Sequence, residues 1–449
     1  MQENPVGTCV NRDQFLSLKV HMTQSRSATM SPRLPLPIVL HLPDLLSSVP
    51  TAMRLLLGIA ALFTACVFSA AATETDGIDP ADRQAVGMAL AAMCDKSVVI
   101  LGEASHGDGH SDAVKTAMVT HLVEKCGFKG VLFESSFYEF FPISRSVRAK
   151  TPVAPTLIAA AVGGYWKFDR EVQPLFDFLA TQASAGKVAL GGLDFQAGGF
   201  EQPYSNEVMI KELAARMPQE RRELCTALYR SRIDGNDPPN GMSKVARAQS
   251  LKLCLVEMRS SIVGQENLAS GNHERLLQLK NLDAWVVLDG QPFPELVRER
   301  DRLMADNVRS FIEQLPKPAK VVIWAHNGHA ARETSALGDY GNSQNLGTAL
   351  SQHFGDKLFS MATTACGGEY RWTPGTNKPI PTAPVNSLEA QVCSDKDPVS
   401  TFIDASQLKQ LGVRDSAVFG HSYSRAKWAD TFDGILVLDK EYAPHNTRF

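Results

Sequence analysis

Six short runs in this chain are apolar almost without interruption: SVVIL (97–101), GVLFE (130–134), KVALGGLD (187–194), KVVIWAH (320–326), KLFSMAT (357–363) and GILVLD (434–439). None keeps the strict apolar–polar alternation of a strand with one wet face. Such runs suit a mostly parallel central sheet covered by helices on both sides, and the expected fold class is α/β. Helical periodicity lies between them. Asp112 to Lys125 sets Val114, Ala117, Met118 and Leu122 on one face and stops at Gly127. A second helix runs through Val172 to Ala183. From about 206 to 316 no strand signal appears, and segments such as EVMIKELAARM and LVRERDRLMADNVRSFIEQL carry a helical period. This stretch reads as a helical insertion packed beside the sheet, with turns at PPNGM and GQPFPE.

In an open α/β sheet the ligand crevice lies at the carboxyl ends of the strands. The first strand exits into Glu103 and His106, the second into Glu134 with Ser135 and Ser136. The third ends at Asp194, and the fourth at His326, Asn327 and His329. If the strands are parallel, all of these converge on one rim. The residue types suit hydrolysis: histidine is the natural general base near neutral pH, and a neighbouring carboxylate fixes its tautomer and raises its basicity. Each residue alone reads as a satisfied structural polar group; the constellation reads as a site.

Composition narrows the setting. The 449 residues are 44% hydrophobic and 21% charged, with a net charge of −3. That balance offers no electrostatic reason to expect nucleic acid or an acidic membrane as partner. Residues 1–52 show no sustained period and read as a non-native extension, with Met53 as the true start. Residues 53–72 have a signal-peptide layout: Arg54, an apolar run Leu55–Phe68, then Ala70, Ala71 and Ala72. The run is short for a membrane anchor, so no integral span is expected after processing. A variant reading makes Cys66 a lipid-modified first residue. The expected location is periplasmic or secreted, with one catalytic domain over 77–449. Past Cys66 come Cys94, Cys126, Cys225, Cys254, Cys366 and Cys393, an even set that suits disulfides after export. No CxxC pair points to a zinc knuckle. Connectivity does not follow from sequence; neighbour pairing is the expectation, and free buried thiols are the alternative.

GEASHG (102–107), Glu134 in GVLFES, GGLDFQ (191–196), RDRLMADNV (300–308), WAHNGHAAR (324–332) and FDGILVLD (432–439) occur in an order that resembles the erythromycin esterase family. The resemblance runs from about Ser97 to the C-terminus. It implies an enzyme unrelated to the serine esterases that opens an ester or lactone, with no metal and no cofactor. It implies His106 as general base for water, Glu103 and Glu134 as the matching carboxylates, and His326 as the second-motif histidine with His329 close by. Lys115 matches a basic residue that binds the ester oxygen or balances the carboxylates. The chain departs from the family pattern at HGDGHSD, where His110 replaces the usual glutamate and alters substrate contacts or favours metal capture. The family name is no substrate assignment, and a macrolide is one candidate among small esters and lactones.

Other residues weigh less. Ser105 lies outside any G-x-S-x-G elbow and reads as a loop hydroxyl. Trp166 reads equally as core or pocket wall. Arg300 and Asp301 lie on a helix and read either as partners of the rim or, the preferred reading, as a structural ion pair; Asp194 reads as rim structure, with a histidine-orienting role as the alternative. His421 and His445 sit in no motif. Two other functions fit the same residue types: a metal-dependent hydrolase or peptidase using the six histidine and glutamate side chains, and a haem- or iron-binding protein. The chain has neither HExxH nor CxxCH.

Overall fold

The computed structural model describes residues 78–446 apart from 165, 200, 237–240, 264–269, 289–292, 334–343, 374–375 and 394–398. The chain divides into two units, residues 1–77 and 78–449. The extension, leader and Cys66 readings fall in the first, outside the described residues.

All six apolar runs are strands. They are β1 (Val98–Glu103), β2 (Gly130–Ser136), β3 (Ala189–Asp194), β4 (Val321–His326), β5 (Leu358–Ala365) and, late in the chain, β11 (Gly434–Leu438). Between β5 and β11 lie β6 (Glu369–Thr373), β7 (Thr376–Pro379), β8 (Thr401–Asp404), β9 (Val413–Phe419) and β10 (Ser422–Lys427). One seven-stranded sheet runs β3-β2-β4-β1-β5-β11-β8, while β6–β7 and β9–β10 are separate two-stranded ribbons. Every pairing in the large sheet is parallel except β11–β8 at the edge.

Alternate side chains enter two cores, which is why the runs are apolar at nearly every position. Val99 and Leu101 of β1 pack on one face with Val131, Phe133, Val322 and Trp324. Val98 and Ile100 pack on the other with Leu132, Val321 and Ile323. Each such side chain contributes roughly 1.5–3 kcal/mol of transfer free energy when fully buried. The helix after β1 spans Gly109–Cys126 and ends at Gly127, whose φ of 74° is the left-handed conformation that glycine adopts without strain. Between β3 and β4 the described chain is helical: Met209–Ala214, Gln219–Ile233, Lys244–Val263, Ser270–Val287 and Phe293–Gln314. Its apolar residues form a third core with Tyr138 and Phe195.

The six cysteines lie as three neighbour pairs in disulfide geometry, with Cα separations of 5.1 Å for Cys94–Cys126, 5.8 Å for Cys225–Cys254 and 5.7 Å for Cys366–Cys393. Among the described residues no helix is long and apolar enough to cross a membrane.

Candidate active site

β1 and β4 run side by side in a register that sets Glu103 opposite His326, so both strand exits open on one rim. Glu103 is fully buried and carries three contacts. His106 Nδ1 lies 2.7 Å from Oε1, Lys115 Nζ donates to Oε2 at 2.6 Å, and Trp324 Nε1 donates to Oε2 at 3.0 Å. Burial pushes the Glu103 carboxyl up, but the Lys115 ammonium and the His106 contact override it and hold the pKa below the usual range. Lys115, also fully buried, stacks its ammonium 4.2 Å from the centre of the Trp324 ring. Desolvation lowers its pKa against the pull of Glu103. Removing two charges from water costs several kcal/mol per ion, so this pair is weak evidence for stability and better evidence for a site.

The Glu103 contact fixes the His106 tautomer: a proton on Nδ1, shared with the carboxylate, leaves the basic lone pair on Nε2. The His106 side chain is 20% exposed. Trp166 packs edge-on against it at 5.1 Å, and His326 does so at 5.5 Å. Trp166 is thus both buried and a wall of the imidazole.

A second cluster surrounds Glu134. Its Oε1 meets Arg300 Nη2 and His329 Nε2, each at 3.0 Å, and its Oε2 accepts the His326 backbone N–H at 2.9 Å. Despite burial, the charges of His329 and Arg300 hold the Glu134 pKa well below the ordinary carboxylate range. Burial opposes the His329 charge, but Asp301, 2.5 Å from Nδ1, and Glu134 override it and push the pKa up to about 10. Arg300 also donates to Asp194 Oδ2 at 3.0 Å. Arg300 and Asp301 therefore do not simply pair with each other: one joins Glu134 to Asp194, the other charges His329.

His326 uses both ring nitrogens within the protein: its Nε2 lies 2.7 Å from the Ala104 carbonyl and its Nδ1 accepts from Gly328 N at 3.0 Å. Burial and the nearby His106 push its pKa down to about 4, so it is a neutral structural link between the β1 and β4 exits. Asn327 turns inward rather than toward the crevice; its amide donates to the carbonyls of Thr363 and Val418 at 2.8 and 2.6 Å. His110 belongs to a different cluster. It lies between Asp82 Oδ2 at 2.8 Å and the Lys440 carbonyl at 2.6 Å. Asp82, His110 and Asp439 are the one cluster among the described residues with metal-ligand spacing. Burial lowers the His110 pKa, but Asp82 and the Lys440 carbonyl raise it to about 9, so near neutral pH the ring is held as an imidazolium between them. Ser105 Oγ accepts from Gly107 N at 3.3 Å within its loop, and Ser135 Oγ, in β2, donates to the Val162 carbonyl at 2.7 Å.

A parallel sheet whose strand exits gather an imidazole–carboxylate pair and a charged arginine–histidine–glutamate cluster has the equipment of a hydrolase. The family model described as Erythromycin esterase matches residues 123–441, and the chain belongs to the erythromycin esterase family. Among curated proteins the candidate hydrolase YbfO of Bacillus subtilis (strain 168) is 22% identical over 378 residues, 77% of this chain and 83% of that protein. Solved structures share the fold. A succinoglycan biosynthesis protein superposes with a TM-score of 0.63 at 14% identity, covering 82% of this chain and 95% of the other. A histidine-to-asparagine variant of the erythromycin esterase EreC, in its open conformation, gives 0.60 at 13% identity, covering 80% and 95%.

Proposed function

We propose that this hydrolase opens a small-molecule ester or lactone by direct attack of water, with His106 as general base. The observation that carries the reading is the chain His106–Glu103–Lys115, in which a buried, counter-charged carboxylate orients the imidazole. His106 Nε2 takes the proton from water as the oxygen attacks the carbonyl carbon, and the imidazolium returns it to the leaving alkoxide. Glu103 stabilises that imidazolium. Lys115, spent on Glu103, keeps that carboxylate ionised rather than reaching substrate. The positive charge available to a developing oxyanion comes from Arg300 and His329, with Glu134 and Asp194 holding them in place. Trp166 forms the apolar wall beside the reacting group. No acyl-enzyme is part of this mechanism: Ser105 lies outside any G-x-S-x-G elbow, and Ser135 Oγ donates to the Val162 carbonyl. The three disulfide pairs support activity outside the reducing cytosol, in the periplasm or medium.

The test is hydrolysis of a panel of aryl esters, lactones and macrolides, with and without chelator, by wild type and His106→Ala. The variant is expected to lose about 10²–10⁴ in kcat, and the wild type to keep its rate after chelation. Wild-type turnover by a folded His106→Ala would end the general-base reading.

A further inference from the structure

The loop that presents His106, Ala104 to Asp108, is gripped by a hairpin more than 300 residues away. In β9–β10, Phe419 pairs with Ser422, and the two residues between them, Gly420 and His421, have φ of 60° and 54°. Two-residue turns with both central residues left-handed match the twist of a hairpin, and Asn-Gly is their favoured sequence. A histidine there carries a steric cost of roughly 1–2 kcal/mol. Backbone held in a costly conformation points to a side chain with a task.

We propose that His421 is a positioning residue for His106, acting through the Ala104–Asp108 loop; the proposal rests on the reading of His106 as the base. Gly420 N donates to the Ala104 carbonyl at 2.9 Å, at one end of the loop. At the other end His421 Nε2 lies 2.8 Å from Asp108 Oδ1, while Asp108 Oδ2 accepts Ser105 N–H at 2.8 Å. Arg371 N donates to the Gly107 carbonyl at 2.9 Å and closes the third side. His106 sits in the middle of this clamp. His421 itself is 2% exposed and covered by the Tyr370 ring at 4.5 Å, so substrate does not touch it.

The clamp needs the proton on Nε2. Groups facing His421 are Asp108 from the loop, Glu441 after β11, Glu389 from the helix Leu388–Val392, and the Tyr370 phenol of β6. Burial opposes the imidazolium, but Asp108 holds its pKa above the usual value. A raised pKa means that the charged pair is complete below about pH 6.5 and lost as pH rises through the folded-state pKa.

His421→Gly separates turn from side chain, because glycine suits the left-handed backbone better than histidine. His421→Asn, also tolerant of that backbone, is the second variant. Both are expected to keep the fold by circular dichroism and to lower kcat roughly ten- to a hundredfold, the scale of a displaced catalytic group. KM should change little. Hydrogen exchange at Ser105 and Gly107 should quicken. Adding Asp108→Asn to either variant should cost little more, since both changes break one clamp. Wild-type kcat in His421→Gly, or unchanged exchange at Ser105 and Gly107, overturns the proposal. A fully active His106→Ala would instead remove the base assignment, and the exchange data would still decide whether the clamp exists.

Discussion

At the scale of single residues, the site is a set of charges that burial should have neutralised and neighbours keep. His329 and His326 show the two directions. The carboxylates of Asp301 and Glu134 raise His329 to about 10, so its contribution to stability is complete below the unfolded value near 6.5 and is lost as pH rises through about 10. His326, pushed down to about 4, stays neutral in the folded protein while the unfolded chain takes up a proton below about 6.5, so it withdraws stability as pH falls toward 4. Unfolding free energies from urea titrations of wild type and His329→Gln should therefore differ by on the order of a few kcal/mol near pH 7, at ~1.4 kcal/mol per pKa unit. The gap should narrow steadily toward about pH 11. A gap independent of pH would mean that His329 is uncharged throughout.

At the scale of elements, the loop that carries His106 is an interface between β1, β4, β6 and the β9–β10 hairpin, and backbone approaches there leave no room for a side chain. A Cβ on Gly107 would fall 1.6 Å from the Arg371 carbonyl oxygen, whereas one on Gly87 would meet nothing within 4 Å. Gly107→Ala should destabilise by about 1–3 kcal/mol or more by prising β6 from the loop, and should lower turnover with it. Gly87→Ala, inside the helix Arg83–Met93, should stabilise by roughly 0.5–1 kcal/mol. Thermal melts of both variants check the contrast. The same elements show what the sequence could announce. The six buried strands were legible because two covered faces demand continuous apolar runs. The edge strand β8 was not: TFID is four residues long, and its pairing with β11 is set by tertiary packing. Nor were the ribbons, whose exposed faces leave no apolar run. In the site, Glu103, His106, Glu134 and His329 could be found because each follows a strand exit. The turn of the helix Phe293–Gln314 that delivers Arg300 and Asp301 stood out only through the RDRLMADNV motif, since charge pattern alone does not separate it from an ordinary charged helix face. Asp108 and His421 lie 313 positions apart, and nothing local to His421 marks it.

At the scale of the whole molecule, three disulfide pairs tie neighbouring elements rather than distant ones. Cys225–Cys254 joins the helices Gln219–Ile233 and Lys244–Val263 across a separation of 29 residues. Closing a loop of that length restricts the unfolded chain by about 3–4 kcal/mol on the chain-entropy account. Cys225→Ala with Cys254→Ala should lower the denaturant midpoint accordingly while leaving ester hydrolysis intact, since neither cysteine nears the rim. Loss of activity in the folded double variant would show that the helical segment shapes the crevice more directly. The pair Cys94–Cys126 has another consequence. It encloses β1, the loop with His106, and Lys115 in one covalent ring. A protease cut between residues 95 and 125 would leave both fragments attached, so His106, Glu103 and Lys115 could stay assembled on a nicked chain. Glu134, Asp194, Arg300 and His326 lie outside all three rings and share no such tolerance.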